Sequence, residues 1–363
     1  MRILHIITRF NSGGTATWLN QLIDRKLLAN EENYLAFGRC SDSEAEAIPH
    51  ESFETIRVRN LQREISPLRD ARAVIELIQI IRNLKPDLVN THTFKAGLVG
   101  RIAVKMAKIK STAVVHTVHG HLKYGYFNPL VSRLILGIEI ALERITDGFI
   151  VAGHKLFNEL QDGGLLRNST IKVILPGFRV TQFPSKQEGN ARIKVGWLGR
   201  LTQIKRPDRV VDLARLLPDV DFYIGGSGEL EPEITQKSPV NLHFVGWADP
   251  NKFWSDKDIG LLTSDNEATP YAIIEGNMHG VPFVATNVGS VEDVVVDNVN
   301  GLLAKTDSKD LALKIRRLVE DYELRIQMSA MAKSLSLEKF DIDRFQAEHR
   351  DFYIHVMNER CSN

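Results

Sequence analysis

The sequence predicts an α/β protein built from two doubly wound, Rossmann-like domains. Short apolar runs alternate with amphipathic helical segments along the 363 residues, a pattern typical of parallel sheets with right-handed crossovers. The alternation stops at a polar run, Pro184–Asn190, and then starts again. We therefore predict a first domain at residues 1–180, a linker at 181–190, a second domain at 191–340 and a terminal helical segment at 341–363.

The first domain begins with a buried strand over residues 2–8, a glycine turn and an amphipathic helix. Gly13 and Gly14 would let the backbone approach a phosphate at the helix N-terminus, although a plain tight turn explains them almost as well. Later strands are predicted near residues 34–37, 55–58, 87–91, 112–119, 147–152 and 171–175. Helices are predicted at residues 67–84, 96–108 and 130–145.

The second domain repeats this architecture without repeating the sequence. Its strands are predicted at residues 193–198, 221–225, 242–245, 259–263, 282–286 and 301–304, with helices between them. A terminal helix follows at 341–358.

Composition limits the class of protein. With 43% hydrophobic and 25% charged residues, the chain resembles an ordinary soluble protein. Cys40 and Cys361 form no disulfide framework, which favours a reducing compartment. Residues 1–8 are too short and too soon interrupted for a signal peptide, and no apolar run approaches the roughly 20 residues that span a bilayer. We expect a cytoplasmic protein.

Charge is distributed unevenly. Residues 1–180 carry a formal charge of +7 and the remainder −6, which together give the net +1. The basic excess lies between Arg57 and Lys110. It indicates an anionic surface or partner, and solvated helix faces explain it about equally well.

Two glutamates stand out at the end of a predicted strand. Glu267 lies in the loop after residues 259–263, and Glu275 lies inside the next helix. Thr269 and Pro270 predict the start of that helix, with a hydroxyl cap followed by proline at the first helical position. Ligands bind at this edge of an open α/β sheet. Taken alone, the two acids are equally typical of a solvated surface.

Two cations follow the first strand of the second domain. Arg200 and Lys205 lie in one strand–helix loop, at the same sheet edge as Glu267, where they would hold a diphosphate. Gly226 belongs to the run G-G-S-G at 225–228. This run fails as a dinucleotide fingerprint because Glu231 stands at the third glycine, and we expect it to line the same site.

These motifs resemble the family 4 retaining glycosyltransferases, which have the GT-B fold. The resemblance rests on G-R-L-x-x-x-K from 199, G-x-G-x-L from 226, E-x7-E from 267, G-x-P-x-V-A-T-x-V-G from 280 and N-G-L-L from 300. First-domain matches begin at 6, 91, 116 and 125, so the resemblance covers nearly the whole chain. It implies two Rossmann-like domains facing across a cleft, with the terminal helix crossing back to the first. Similar proteins build capsule, O-antigen and exopolysaccharide.

The resemblance also implies a role for each matching residue. Glu275 would bind the nucleotide ribose, Glu267 the transferred sugar, and Arg200 with Lys205 the diphosphate. Other expected donor contacts are the loop of Gly13 and Gly14, the side chain of His119, the glycine run at Gly226, and the backbone amides of Ala268, Thr269, Pro270 and Tyr271. His92 and Lys95 are expected to face the acceptor, although structural capping residues would look the same.

The chemistry suits transfer of a sugar from a nucleotide diphosphate. Charge that develops on the leaving diphosphate can be stabilised by two cations and helix N-termini, so we expect no metal and no cofactor. Retention through attack on one face leaves neither glutamate as a nucleophile, which we prefer to a covalent role for Glu267. A metal site at His116, His119 and His121 is disfavoured because strand alternation points them to different faces.

We therefore predict a retaining glycosyltransferase that moves a hexose or N-acetylhexosamine, most simply from a UDP-sugar, to a lipid-linked or soluble acceptor. Residues 176–178 and 276–279 depart from the family pattern and leave the donor sugar open. The alternatives are a nucleotide-sugar 2-epimerase of the same fold and a non-catalytic nucleotide-sugar-binding protein. We expect no nucleic-acid partner, and the basic first domain suggests docking on the anionic inner face of the cytoplasmic membrane.

Overall fold

The computed structural model describes residues 1–23, 31–41, 44–120, 129–166, 169–179 and 192–362. The chain divides into two compact units. Unit 1 comprises residues 1–179 together with 342–363, and unit 2 comprises residues 180–341. The predicted linker at 181–190 lies outside the described residues.

Unit 1 is organised around a parallel sheet. Its strands are β1 (Arg2–Arg9), β2 (Glu32–Gly38), β3 (Phe53–Arg57), β4 (Leu88–His92), β5 (Ala113–Val118), β6 (Gly148–Val151) and β7 (Thr170–Val173). Within the described ranges they lie in the order β3-β2-β1-β4-β5-β6-β7, and every neighbouring pair is parallel. The strand order therefore reverses between β1 and β4, as the predicted doubly wound fold requires.

Helices cover both faces of this sheet. They are α1 (Gly14–Ile23), α2 (Pro67–Leu84), α3 (Phe94–Ala107), α4 (Pro129–Glu143), α5 (His154–Asp162) and the terminal α12 (Ile342–Ser362). Helix α2 shows how local sequence sets these limits. Pro67 occupies its first position, Lys85 ends it with φ 47°, and Leu77 and Ile81 face the core.

The terminal helix α12 packs within unit 1. Phe345, Phe352 and Tyr353 join the same buried cluster as residues of α1, β1 and β5. The backbone of Gly177 lies so close that a side chain there would come within 2.4 Å of the Phe345 Cβ. The departure from the family pattern at 176–178 therefore makes room for this helix.

Unit 2 repeats the arrangement around a second parallel sheet. Its strands are β8 (Lys194–Leu198), β9 (Asp221–Gly225), β10 (Leu242–Gly246), β11 (Ile259–Leu262), β12 (Phe283–Thr286) and β13 (Gly301–Ala304). Its helices are α6 (Asp208–Leu216), α7 (Glu231–Gln236), α8 (Pro250–Trp254), α9 (Tyr271–Met278), α10 (Ser308–Glu320) and α11 (Tyr322–Lys339). Among the described residues the strand order is β10-β9-β8-β11-β12-β13, which reverses between β8 and β11.

The two sheets confirm the predicted fold class, and the observed strand limits agree with the predicted ones to within a few residues. Across the described part of the chain, no helix combines the length and the apolar character needed to cross a membrane.

Candidate active site

The predicted donor residues of unit 2 lie where its strand order reverses. The loop after β8 carries Arg200 and Lys205, and the loop after the neighbouring strand β11 carries Glu267. Loops that leave adjacent parallel strands in opposite directions open a crevice at the carboxyl edge of the sheet. The fold therefore brings together residues from two separate sequence motifs.

Thr263 joins these two loops. Its hydroxyl accepts a hydrogen bond from the Trp197 indole N–H (2.9 Å) and lies 2.9 Å from the carbonyl oxygens of both Lys205 and Arg206. Arg209 adds a second tie, because it donates to the Thr263 carbonyl oxygen (2.6 Å) and pairs with Asp265 (2.7 Å). The contacts of Thr263 and Arg209 thus fix the loop that carries Lys205 against the loop that carries Glu267.

Glu267 is bound directly to Lys205. The Lys205 Nζ lies 2.6 and 2.7 Å from the two carboxylate oxygens, and the Ser264 hydroxyl donates to one of them at 2.6 Å. The Glu267 side chain is only 5% exposed, whereas that of Lys205 is 25% exposed. The two residues had been predicted to serve different parts of a ligand, and here they neutralise each other.

A glycine turn encloses the backbone of Glu267. The Ser290 N–H donates to the Glu267 carbonyl oxygen (2.8 Å), and Gly289 has φ +50°. A side chain at Gly289 would come within 1.8 Å of that oxygen, so only glycine fits. These contacts give the V-G-S run at 288–290 a role in holding the backbone of Glu267.

Gly226 brings a second loop against Arg200. The Gly226 N–H donates to the Gly246 carbonyl oxygen (2.6 Å), and its φ is +118°. A side chain at Gly226 would come within 2.0 Å of the Gly199 carbonyl oxygen. The loops after β8 and β9 therefore interlock through backbone alone, and the Arg200 side chain is left exposed.

Helix α9 begins later than predicted. It starts at Tyr271, and its N-cap is Pro270 rather than Thr269. The expected set of amide donors also shrinks, because Pro270 has no N–H and the Tyr271 N–H donates to the Thr269 carbonyl oxygen (3.1 Å). Two of the four predicted amide donors, those of Pro270 and Tyr271, therefore do not serve as predicted.

Glu275 lies just over one turn into α9 and is half-buried. Burial raises the pKa of its carboxyl to about 8, and the nearby Asp249 carboxylate acts in the same direction. Glu275 is therefore largely protonated at neutral pH, so it can donate as well as accept a hydrogen bond. Each ribose hydroxyl can donate and accept, so a diol fits either protonation state of this carboxyl. The departure at Gly276 has a packing reason, because a side chain there would come within 2.5 Å of the Phe283 ring.

In unit 1 the predicted residues also lie at the point of strand reversal. Gly13 and Gly14 are exposed at the start of α1, directly after β1, and the Thr17 N–H donates to the Gly13 carbonyl oxygen (3.1 Å). The amides of a first helical turn are available to an anion. A side chain at Gly13 would meet nothing within 4 Å, so packing alone does not require this glycine.

Three histidines of unit 1, carried by β1, by β4 and by the residues after β5, form a hydrogen-bonded row. The Nδ1 of His5 lies 3.1 Å from the Nε2 of His92, and the Nδ1 of His92 lies 2.9 Å from the Nε2 of His119. Burial lowers the pKa of His5 and of His119 to about 3, and it holds the pKa of His92 well below 6.5. All three imidazoles are neutral at physiological pH.

The acceptor predictions need correction. His92 is completely buried between His5 and His119, so its contacts are with these imidazoles rather than with a bound acceptor. Lys95 forms an ion pair with Asp70 (2.7 Å) and donates to the Glu64 carbonyl oxygen, and only 11% of its side chain is exposed. Both residues are engaged structurally at the end of β4 and the start of α3.

His116 does not join the histidine row. Its Nδ1 lies 2.8 Å from the Thr91 hydroxyl, on the other face of the sheet. His121 and the motif at 125–127 fall outside the described residues. Within the described ranges, no group of three or more His, Cys, Asp or Glu side chains is arranged to hold a metal ion.

Several contributors could not be recognised from the sequence. Ser264, Thr263, Arg209 and His5 look unremarkable in their own segments, and each gains its role from a partner at least 50 residues away or, for Ser264, from a turn whose shape is set by other loops. Val288 and Gly289 end the motif G-x-P-x-V-A-T-x-V-G that begins at 280, whereas Ser290 lies outside it.

Comparison with known proteins agrees with the family resemblance found in the sequence. One family model, described as Glycosyltransferase Family 4, matches residues 29–182, and another, described as Glycosyl transferases group 1, matches residues 179–335. The UDP-Gal:alpha-D-GlcNAc-diphosphoundecaprenol alpha-1,3-galactosyltransferase of Escherichia coli is 27% identical over 85% of this chain and 85% of its own.

Two further similarities extend this comparison. The capsular polysaccharide biosynthesis glycosyltransferase CapM of Staphylococcus aureus is 24% identical over 84% of this chain and 86% of its own. Anabaena HepE, solved in complex with UDP and glucose, superposes with a TM-score of 0.80 at 22% identity, over 97% of this chain and 98% of that one. Since the two family models together span residues 29–335, the chain belongs to the glycosyltransferases that they describe, the family 4 enzymes with a GT-B fold.

Proposed function

We propose that this glycosyltransferase moves a hexose or N-acetylhexosamine from a UDP-sugar to a lipid-linked or soluble acceptor in surface polysaccharide synthesis. The proposal also holds that the anomeric configuration is retained and that no metal ion is needed. The relatives named above include a UDP-galactose enzyme with a lipid-linked acceptor and a capsule enzyme, which supports this substrate class.

The observation that carries the proposal is the arrangement around β8 and β11. The loops after these two adjacent strands carry a lysine paired with a buried carboxylate and an exposed arginine, and the helix that follows β11 carries a glutamate whose pKa is raised to about 8. In this proposal Glu275 binds the ribose hydroxyls. Arg200 and Lys205 bind the diphosphate, and Glu267 with the Ala268 and Thr269 amides binds the sugar.

Lys205 is already held in position by Glu267 before the diphosphate arrives. A diphosphate that enters beside Arg200 competes with Glu267 for the Lys205 ammonium group. As the bond to the sugar breaks, negative charge grows on the leaving phosphate oxygen and strengthens the contacts with Arg200 and Lys205. Interactions that strengthen in the transition state are the ones that accelerate the reaction.

The surroundings of Glu267 argue against a covalent role. Both of its oxygens bind the Lys205 ammonium group and one also accepts from Ser264, so three of its roughly four lone-pair sites are engaged while the ion pair is intact. A carboxylate held in this way is a poor nucleophile. This supports a route in which the acceptor attacks from the face that the diphosphate leaves, with a leaving phosphate oxygen taking the acceptor proton.

In the proposal two cations replace the metal ion that other transferases use to neutralise a diphosphate. Arg200 offers a planar fork of donors and Lys205 a point charge, which suits a ligand with several phosphate oxygens. The proposal predicts full turnover in EDTA. Restoration by Mg²⁺ or Mn²⁺ of activity lost in EDTA would contradict it.

The decisive experiment measures binding and product together. Isothermal titration with UDP, GDP and ADP in EDTA should show preferential binding of UDP. A screen of UDP-sugars against lipid-linked and soluble sugars, read by mass spectrometry, should then yield a glycosylated acceptor, and NMR of that product should show the donor's anomeric configuration. Epimerisation of the donor in the absence of an acceptor would favour the 2-epimerase. Binding without turnover for every acceptor would favour a non-catalytic nucleotide-sugar-binding protein.

We further propose that unit 1 docks on an anionic membrane at the cytoplasmic face, where a lipid-linked acceptor would be found. Helix α2 exposes Leu68 (77%) and Ile75 (55%) on the same side as Arg72, and the adjoining Ile65 is 86% exposed. Apolar side chains among basic ones favour the membrane interface.

Flotation with vesicles that contain phosphatidylglycerol tests this docking. Binding should be strong at low salt and weaker at high salt, and Leu68→Ser/Ile75→Ser should reduce it without changing UDP affinity. A matched exposed pair on α10 and α11, Leu313→Ser/Ile326→Ser, serves as the control. Equal flotation of the two double variants would refute the assignment to α2.

A further inference from the structure

The histidine row His5–His92–His119 in unit 1 has a direction. Each contact joins the Nδ1 of one ring to the Nε2 of the next, at 3.1 and 2.9 Å. A neutral imidazole has one N–H and one bare nitrogen, so the two bonds must both run the same way. Either every ring carries its proton on Nδ1, or every ring carries it on Nε2.

The two ends of the row decide between these states. At the inner end the Nε2 of His5 is buried and has no hydrogen-bond partner, and the ring packs against Phe53 with centroids 5.7 Å apart. Protons on Nε2 would bury an unpaired N–H there, which native proteins strongly avoid. Protons on Nδ1 leave only a bare nitrogen at that end.

At the outer end of the row, His119 is compatible with a proton on either Nδ1 or Nε2. The His119 ring is half-buried, and its Nδ1 makes no hydrogen bond to any residue in the described ranges. Trp18 packs edge-on against the ring, with centroids 5.1 Å apart, and fixes its orientation. The cost at the buried end is therefore not offset at the outer end.

We infer that His92, backed by His5, is a positioning residue that holds His119 with its proton on Nδ1, so that His119 presents a hydrogen-bond donor to the ligand. His5 donates to His92, and His92 donates to His119. The ligand atom opposite His119 must then be an acceptor, such as a hydroxyl or phosphate oxygen. In this state His119 cannot take a proton from the acceptor sugar at Nδ1.

Burial supports the neutral state of the whole row. His5 and His92 are completely buried, and the neighbouring titratable side chains that face them are the histidines His116, His119 and His349. Among the residues that the structure describes, no carboxylate is one of these neighbours to stabilise an imidazolium. A proton added to one ring would be repelled by its surroundings, so the direction of the row survives across the physiological pH range.

The first test reads the tautomers directly and needs no substrate. The full chain, labelled with ¹⁵N-histidine, is examined at pH 7 by long-range ¹H–¹⁵N correlation, with rings assigned by single substitutions. We expect a protonated Nδ1 and a bare Nε2 at all three positions. A protonated Nε2 at His119 would overturn the inference outright.

The second test removes the donor from the middle of the row. His92→Leu should shift His119 towards protonation on Nε2, whereas His92→Asn, whose amide nitrogen can take the place of Nδ1, should preserve the Nδ1 proton. His116→Leu is the matched control, because it removes another buried histidine from the same sheet without touching the row. If His92→Leu does not fold, the wild-type spectrum and His92→Asn still decide. Unchanged His119 signals in a folded His92→Leu would contradict the inference.

The kinetic consequence rests on the proposed function. Loss of one aligned neutral hydrogen bond corresponds to about a tenfold fall in kcat/KM for the donor sugar. UDP affinity should stay within about twofold, and His92→Asn should restore most of the activity. Failure of the wild-type protein to bind UDP would count against the proposed function alone, because the tautomer measurement does not depend on it.

Discussion

The two units share a topology and differ in the chemistry at the same place in that topology. In both sheets the strand order reverses beside the first strand, between β1 and β4 in unit 1 and between β8 and β11 in unit 2. Unit 1 places glycines and a row of neutral imidazoles there, whereas unit 2 places an ion pair, an exposed arginine and a raised-pKa glutamate.

This difference separates what a fold provides from what its side chains provide. The parallel sheet creates a crevice in each unit, and the residues that line each crevice decide what it can bind. Charge in unit 2 suits a diphosphate, and neutral donors in unit 1 suit hydroxyl oxygens. Four experiments would break or sharpen this contrast.

The largest effect is expected from the ion pair in unit 2. Lys205→Met should lower kcat by about 100- to 1000-fold, because the leaving diphosphate loses a cation. It should also destabilise the protein by about 2 kcal/mol, since Glu267 stays buried and Lys205 is partly exposed. Steady-state kinetics and urea unfolding provide the measurements.

A second lysine pair in the same unit supplies the control for Lys205. Lys194 pairs with Asp256 at 3.1 Å, and the two side chains are 32% and 51% exposed, so Lys194→Met should cost at most about 0.5 kcal/mol. The double variant Lys205→Met/Glu267→Gln should regain stability but not turnover. Normal turnover in Lys205→Met would contradict the proposal that Lys205 stabilises the leaving diphosphate.

Glu275 predicts a dependence of stability on pH. Its pKa is about 8 in the folded protein and near 4.5 when exposed, so its contribution to stability is present at low pH and is lost as pH rises through 8. Between pH 5 and pH 9 the loss should be about 3 kcal/mol, after allowance for partial exposure. Glu275→Gln should remove this loss in urea unfolding across the pH range. A loss equal to that of the wild type would exclude Glu275 as its source.

The glycine loops of the two units should respond differently to the same change. Gly226→Ala forces a methyl group against the Gly199 carbonyl at a φ of +118° and should cost about 2 kcal/mol. Gly13→Ala meets nothing within 4 Å, so it carries only the backbone strain of a φ of +159° and should cost about 1 kcal/mol. Thermal unfolding of both variants tests this, and equal losses would show that the two loops are not packed as differently as the structure has them.

Unit 1 should show the opposite pH dependence from Glu275. Burial lowers the pKa of His349 to about 3, so stability is present above 6.5 and is lost as pH falls towards 3. Between pH 7.5 and pH 5 this histidine alone accounts for about 2 kcal/mol. His349→Phe keeps a ring beside Trp18 and Phe345 and should reduce the acid sensitivity by that amount. Unchanged sensitivity would place the acid-labile groups elsewhere.

Much of the fold was predictable because it depends on local patterns. Helix α2 was predicted at its observed limits, since Pro67 and the apolar spacing act within one segment. The strands were predicted to within a few residues for the same reason. The predicted start of α9 was wrong. Thr269 and Pro270 fit the pattern of a hydroxyl N-cap followed by proline, but in the loop after β11 Pro270 itself is the N-cap.

The candidate site was predictable only in part. Glu267, Lys205 and Glu275 were found through their motifs, but the bond between Lys205 and Glu267 joins residues 62 positions apart and cannot be seen in either segment. His92 was predicted to face an acceptor because it ends a strand, where side chains usually meet ligands. Its ring is completely buried between His5 and His119, which are distant in sequence.

The sequence by itself determined the fold class, the positions of the strands and the residue types at the reaction site. These follow from periodicity, from turn chemistry and from spacing within short segments. Only the tertiary structure decided which of those residues neutralise each other, which glycines have no space for a side chain, and how the three histidines are ordered. Such features depend on pairs of atoms brought together by β1, β4 and β5, or by β8 and β11, and no single segment of the chain contains both members of a pair.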